Sequence, residues 1–263
     1  LYIIGIIGVG IWNRKSDNSE DYFLASRKLP AWLLAVTFIA SWWGGGSAID
    51  LVDHAHRNGL SSFWIYGVPV LIATALMYLF AKGIRNIGTI SQPQLMNQRY
   101  NSTVSLLLTL FIIIFMVIAS SVQVIVIGKF FHAFFDMSYT TGAILGTLIV
   151  LTYSLYGGFK GVVLTDLLQF VFFLFTALFL FYLTYNKSGG MEAVKATALA
   201  NGKTGYTSFF SKASDNLAYV ITFGTSWMIQ ANIWQRISAA KKAIDAKKMM
   251  IFSFIAFIPL YLM

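Results

Sequence analysis

Cysteine is absent from the 263 residues. The chain therefore forms no disulfide, offers no thiolate metal site and carries no cysteine signal of redox compartment. Charge is scarce as well. Asp, Glu, Lys and Arg make up 11% of the residues, against about 25% in a soluble domain. That deficit is too large to cover a water-facing surface. The strict polar–apolar alternation of a membrane β-barrel is also missing. So are enzyme signatures: there is no His-Glu-x-x-His, no Gly-x-Ser-x-Gly and no phosphate loop. Gly44 to Gly46 are not a nucleotide loop, because they sit inside an apolar run and follow no strand.

What the chain has is long apolar runs, with 57% hydrophobic residues. A membrane-spanning helix needs about 20 of them in succession. Eight segments are expected, at roughly 1–12, 31–54, 62–82, 104–133, 139–157, 164–185, 216–235 and 248–263. So many runs define an all-α, polytopic transmembrane bundle in a single domain, multi-pass in a cell membrane and embedded in lipid. The long polar stretch from Asn186 to Asp215 is expected to be a loop with one short helix. The first and last segments read as truncated, since Leu1 opens inside an apolar run without the leader and cleavage site of a signal peptide.

The net charge of +9 lies in short loops beside apolar runs, which makes it a topology signal and not a nucleic-acid footprint. With residue 1 outside, thirteen of the 19 Lys and Arg face the cytoplasm, Arg236, Lys241 and Lys242 among them. The six others are Arg57, Lys129, Lys187, Lys195, Lys203 and Lys212, four of them in the long loop, where charge weighs little.

Two segments are unusual. The second contains Ser41-Trp42-Trp43-Gly44-Gly45-Gly46-Ser47. Each Gly costs about 1 kcal/mol against Ala in a helix, so three in a row are expected to unwind it. The freed carbonyls then need partners in lipid, and a cation or polar solute is one. The alternative is close helix packing. The seventh segment repeats the theme in Gly224-Thr225-Ser226-Trp227-Met228-Ile229-Gln230-Ala231-Asn232. Paired interrupted helices in two halves point to a midplane binding site between inverted repeats. The candidates for solute contact are Trp42, Gly44, Gly45, Gly46, Ser47, Trp227, Gln230 and Asn232. Ser120, Ser121 and Gln123 are explained equally well by solute contact or by helix–helix bonds. Asp50, Asp53, His54 and His56 read as a solvated vestibule, with Asp50 the deepest.

Three stretches carry a family resemblance. Asp21-Tyr22-Phe23-Leu24-Ala25-Ser26-Arg27-Lys28-Leu29-Pro30-Ala31-Trp32 resembles the entry to helix 2 of sodium/solute symporters. Tyr156-Gly157-Gly158-Phe159-Lys160-Gly161 through Thr165-Asp166-Leu167-Leu168-Gln169 is similar to their Gly-Gly…Thr-Asp-x-x-Gln stretch. Gln235-Arg236-Ile237-Ser238-Ala239-Ala240-Lys241 resembles the motif that closes their helix 7. The resemblance covers nearly the whole chain. It implies a fold like the bacterial leucine transporter: a five-plus-five inverted repeat preceded by one extra helix. The first repeat would then occupy 31–185 and the start of the second 216–263, leaving the repeat pair incomplete.

The resemblance also implies a mechanism. A small organic solute moves inward with sodium by alternating access, with no covalent chemistry. Sodium is held by the backbone carbonyls of Ala40 and Trp43 and by hydroxyls further along than residue 263. Asp166 sits on the sodium exit route, or is an acid stabilised by a helix N-terminus. Trp42 and Ser47 depart from the proline and sugar branches, and the Trp-x-Gly-Gly-Gly run looks more like the choline branch, whose cation Trp faces attract. The alternative is a symporter-like membrane sensor domain, as in a histidine kinase. No reading of the residues defines an oligomeric state.

Overall fold

A computed structural model describes Gly5, Gly8 and residues 18–263. The first expected segment, 1–12, lies outside the described residues except for Gly5 and Gly8. The other seven all fall on helices or broken helix pairs, the fifth and sixth on a single one. Helix α1, Ser19–Leu24, starts at Asn18, whose side chain accepts from the Asp21 N–H at 2.8 Å. Left-handed residues Ala25, Ser26 and Arg27 then turn the chain into α2, Ala31–Trp42. Helix α3, Gly45–Asn58, follows, then a 3-10 turn, Gly59–Trp64, and α4, Gly67–Ile87. Two polar caps start the next pair: Ser91 for α5, Gln92–Arg99, and Asn101 for α6, Ser102–Phe135. Helix α7 runs Tyr139–Lys187 and α8 Gly190–Ala200. Helix α9, Leu217–Ser226, passes through a 3-10 turn, Trp227–Ile229, into α10, Ala231–Ser238, and α11 spans Ala243–Leu262.

The core lies where α2 packs against α7 and α11, and α11 in turn against α4. Phe38, Leu34, Val163, Ile237, Met249 and Phe257 are fully enclosed there. Helices α6 and α7 pack on one another and turn apolar side chains outward, with Phe111 74% and Phe175 72% exposed. Such surface calls for an apolar surrounding, lipid or further helices. The stretch Gly45–Ile87, α6 and α7 are each long and apolar enough to cross a membrane.

Two features differ from the expectation. The fifth and sixth segments are one helical path that bends sharply at Gly158 (φ 54°, ψ −161°), with no loop between them. A Cβ there would sit 2.9 Å from the Tyr22 carbonyl oxygen, so the bend needs glycine for its backbone and for its space. The polar stretch after α7 holds the expected short helix, α8. Its tail folds back onto the 3-10 turn, where Trp64 Nε1 donates to the Phe209 carbonyl at 3.0 Å and the Leu60 N–H to the Tyr206 carbonyl at 2.9 Å. At the opposite end of the α2–α3 rod, Arg27 bonds the Ser238 and Gly88 carbonyls and Arg85 the Ala240 and Lys241 carbonyls.

Candidate functional site

The α2–α3 rod breaks at Trp43 (φ −88°, ψ 72°) and Gly44 (φ −92°, ψ 166°). Only Gly44 of the three glycines lies in the break. Gly45 and Gly46 form the first turn of α3 and let α6 come close: a Cβ on Gly45 would meet Val126 Cγ1 at 2.7 Å, and on Gly46 Val122 Cγ1 at 3.0 Å. Unwinding and close packing are therefore both realised, on different glycines. The Gly44 N–H, which would have continued the ladder onto the Ala40 carbonyl, donates instead to Ser47 Oγ at 3.2 Å. The Ser47 hydroxyl lies 3.0 Å from the Trp42 and Gly44 carbonyls, its possible acceptors. The carbonyls of Ala40 and Trp43 are left outside this exchange.

The second break centres on Gln230, extended at φ −66°, ψ 135° between the 3-10 turn and α10. It faces the first across a cavity of about 140 Å³ lined by Ser41, Trp42, Ser47, Tyr66, Gln123, Trp227, Gln230 and Tyr261. Four expected contact residues, Trp42, Ser47, Trp227 and Gln230, meet there, with Gln123 of α6 above Gly44. Asn232 lines a different cavity with Gln235, Phe23 and Ile113, and Ser120 and Ser121 line an outer groove on α6.

Aromatic rings wall the cavity. Trp42 meets Trp227 edge-on at 4.5 Å, and Tyr66 stacks on Trp227 and on Phe223, each at 6.1 Å. The Tyr66 hydroxyl donates to Asp50 Oδ2 at 2.7 Å, which joins the vestibule carboxylate to this wall. Trp43 turns away, its ring 5.3 Å from Phe173 and 4.7 Å from Tyr261. Tyr66 and Tyr261 carried no signal in the sequence, being aromatic residues within apolar runs. The lining residues include no charged side chain. They do include two buried donors without a partner among the described residues, Trp42 Nε1 and Tyr261 Oη.

Asp166 lies eight residues past the Gly158 bend, inside the helix and not at its N-terminus. It accepts from Thr37 Oγ1 of α2 and pairs with Arg236 of α10, whose Nη2 stands 3.4 Å from Oδ2. Arg236, counted with the cytoplasmic charges in the sequence, is 5% exposed and points into the bundle.

An apolar helical bundle with two facing helix breaks around one polar-lined cavity defines an integral membrane protein. The family model described as "Sodium:solute symporter family" matches residues 22–263, and the chain belongs to that family. It is 26% identical to the sodium/glucose cotransporter of Vibrio parahaemolyticus, over 96% of this chain and 50% of that protein. It is 25% identical to the sodium/proline symporter of Haemophilus influenzae, over 94% and 52%. With the sodium/myo-inositol cotransporter 2 of Sus scrofa it shares 26%, over 100% and 43%. The chain thus spans about half the length of the curated relatives it matches. A Na+-coupled sialic acid symporter, solved substrate-bound and outward-open, superposes with a TM-score of 0.85 at 17% identity, over 99% of this chain and 57% of its own. That likeness shows a shared fold.

Proposed function

We propose that the protein is a sodium-coupled symporter of a small organic solute, working by alternating access in the cell membrane. The observation that carries this is the pair of helix breaks facing one cavity. Sodium is a hard cation that prefers oxygen ligands, and the Ala40 and Trp43 carbonyls supply two. The solute occupies the cavity beside it. The amides of Gln123 and Gln230, the hydroxyls of Ser41 and Ser47 and the free donors of Trp42 and Tyr261 suit a neutral or zwitterionic molecule that also stacks on Trp227. Gly44, Gly45 and Gly46 contribute backbone and close packing, Asn232 lines the path beyond the second break, and Asp166 draws the departing ion. The first repeat, 31–185, rocks against the elements from 216 onward, hinged at the two breaks.

The test is uptake by the complete gene product in proteoliposomes, with labelled glucose, proline, myo-inositol and choline as probes. Uptake of one probe driven by an inward sodium gradient is expected. Uptake that ignores sodium and follows a proton gradient would falsify the ion assignment.

A further inference from the structure

Arg236 has no role in that scheme, yet it is enclosed in the bundle, where an unpaired charge is costly. Its Nη2 donates to Asp166 Oδ2 at 3.4 Å, to Thr37 Oγ1 at 3.2 Å and to Ser41 Oγ. Its Nη1 donates to the Asn232 carbonyl at 3.1 Å. One guanidinium thus joins α2 below the first break, α7, and α10 beyond the second. On one side is the central cavity, which Ser41 lines. On the other is a cavity of about 220 Å³ lined by Arg236 with Tyr22, Ser154, Gly158 and Gln235. The Arg236 Nε has no acceptor among the described residues, so its pair and hydroxyl partners do not saturate it.

We propose that Arg236 is a tethered counter-cation, which holds Asp166 in this arrangement of the bundle and yields it to the transported cation. The inference rests on the cation site proposed at the first break. Thr37, bonded to Asp166, precedes Ala40 by just under one helical turn, about 4.5 Å along the axis. A cation leaving Ala40 and Trp43 in that direction meets a carboxylate already occupied by a fixed positive charge. The two cations compete, because each neutralises the same oxygen. When the mobile ion takes Asp166, the guanidinium is freed toward the second cavity, and its links to Ser41 and Thr37 loosen. Release of the ion is thereby tied to the separation of α2 from α10. Arg236 acts on the ion through Asp166 and is a positioning residue.

The test uses sodium alone as probe, on the complete gene product in proteoliposomes. Tryptophan fluorescence is titrated with sodium chloride at constant ionic strength, and exchange of radioactive sodium is timed. Arg236→Gln leaves the carboxylate without its competitor. Half-saturating sodium should fall about fivefold or more, the scale of a typical coupling between sites, and exchange should slow. Arg236→Lys keeps the competing charge and should stay within about twofold of the parent. A merely structural arginine predicts the reverse, with weaker sodium binding in both variants, and an unchanged or raised half-saturation in Arg236→Gln overturns the inference.

Removing one partner of a buried pair also threatens folding, so two further variants keep the question open to measurement. Asp166→Asn and the double variant Asp166→Asn with Arg236→Gln both lack the contested charge. They should share one half-saturating sodium concentration, and a clear difference between them overturns the proposal. A parent that gives no sodium response overturns the ion site at the first break together with this inference. A responsive parent with the wrong order of variants overturns the role of Arg236 alone.

Discussion

The two helix breaks interrupt the same kind of rod but satisfy their backbones differently. In the second, the Trp234 indole donates to the Met228 carbonyl at 3.2 Å, and the Gln230 N–H returns to the Trp227 carbonyl at 3.4 Å. These two bonds tie the break to its own flanks, and Trp227 and Gln230 present their side chains to the cavity. In the first, Ser47 serves the Gly44 N–H and the Trp42 and Gly44 carbonyls, and the Ala40 and Trp43 carbonyls stay outside that exchange. A carbonyl released from the helical ladder needs a partner in lipid, and an ion at the first break would supply one. The difference supports the proposal that places the cation on backbone oxygens of the first break and the solute on side chains shared by both.

The largest expected effect comes from closing the gap that keeps the first break in place. In Gly45→Leu even the Cβ would lie 2.7 Å from Val126 Cγ1, so Val126 or α6 itself must give way. Overpacking of this kind costs about 1–3 kcal/mol. A lower thermal midpoint in detergent is expected, together with loss of sodium-induced stabilisation. A sodium response intact in this variant would mean that α6 does not hold the break open. Next comes Ser47→Ala, which strips the Gly44 N–H of its acceptor. The loss of such a cap costs about 1 kcal/mol. Apparent sodium affinity should weaken in the same titration, and an unaltered curve would remove Ser47 from the ion site's support. Smaller still is Trp234→Phe, which deletes the donor to the Met228 carbonyl at a cost of about 1 kcal/mol. Solute half-saturation should rise while the sodium curve stays put. If the sodium curve moves and the solute curve does not, the division between the breaks is wrong.

Much of this was legible in the sequence, for identifiable reasons. Apolar run length placed the helices, and consecutive glycines placed the first break, because both effects are local. Which glycine unwinds and which one packs was not legible, since that depends on Val122 and Val126 arriving from α6. Arg236 sits five residues from Lys241 and reads as a loop charge. Its inward course appears only once α10 is set against Asp166 and Thr37. Helix α6 is apolar on nearly all sides, so no stripe tells which way it faces. Gln123 therefore looked no different from Ser120 and Ser121, yet it alone of the three lines the central cavity. Tyr66 and Tyr261 reach the site from α4's entry and α11, across distances no local pattern records.

The smallest effect tests where the second hinge lies. Gly224 belongs to the same polar stretch as Gln230 and invites comparison with Gly44. Yet α9 stays helical through Ser226, so Gly224 lies inside a helix and before the break. A Cβ there would meet Ile72 Cγ2 at 3.6 Å and the Pro69 carbonyl at 3.7 Å, ordinary van der Waals distances. Gly224→Ala should therefore fit without displacing α4. It gains up to about 1 kcal/mol of helix propensity, and the thermal midpoint should hold or rise slightly. Sodium and solute titrations should overlay those of the parent. The opposite outcome is informative. If stability holds but uptake falls, α9 must bend at Gly224 during the transport cycle, and the hinge moves from Gln230 to a residue one to two turns earlier. The second break would then resemble the first more closely, with glycine rather than side-chain closure setting its flexibility.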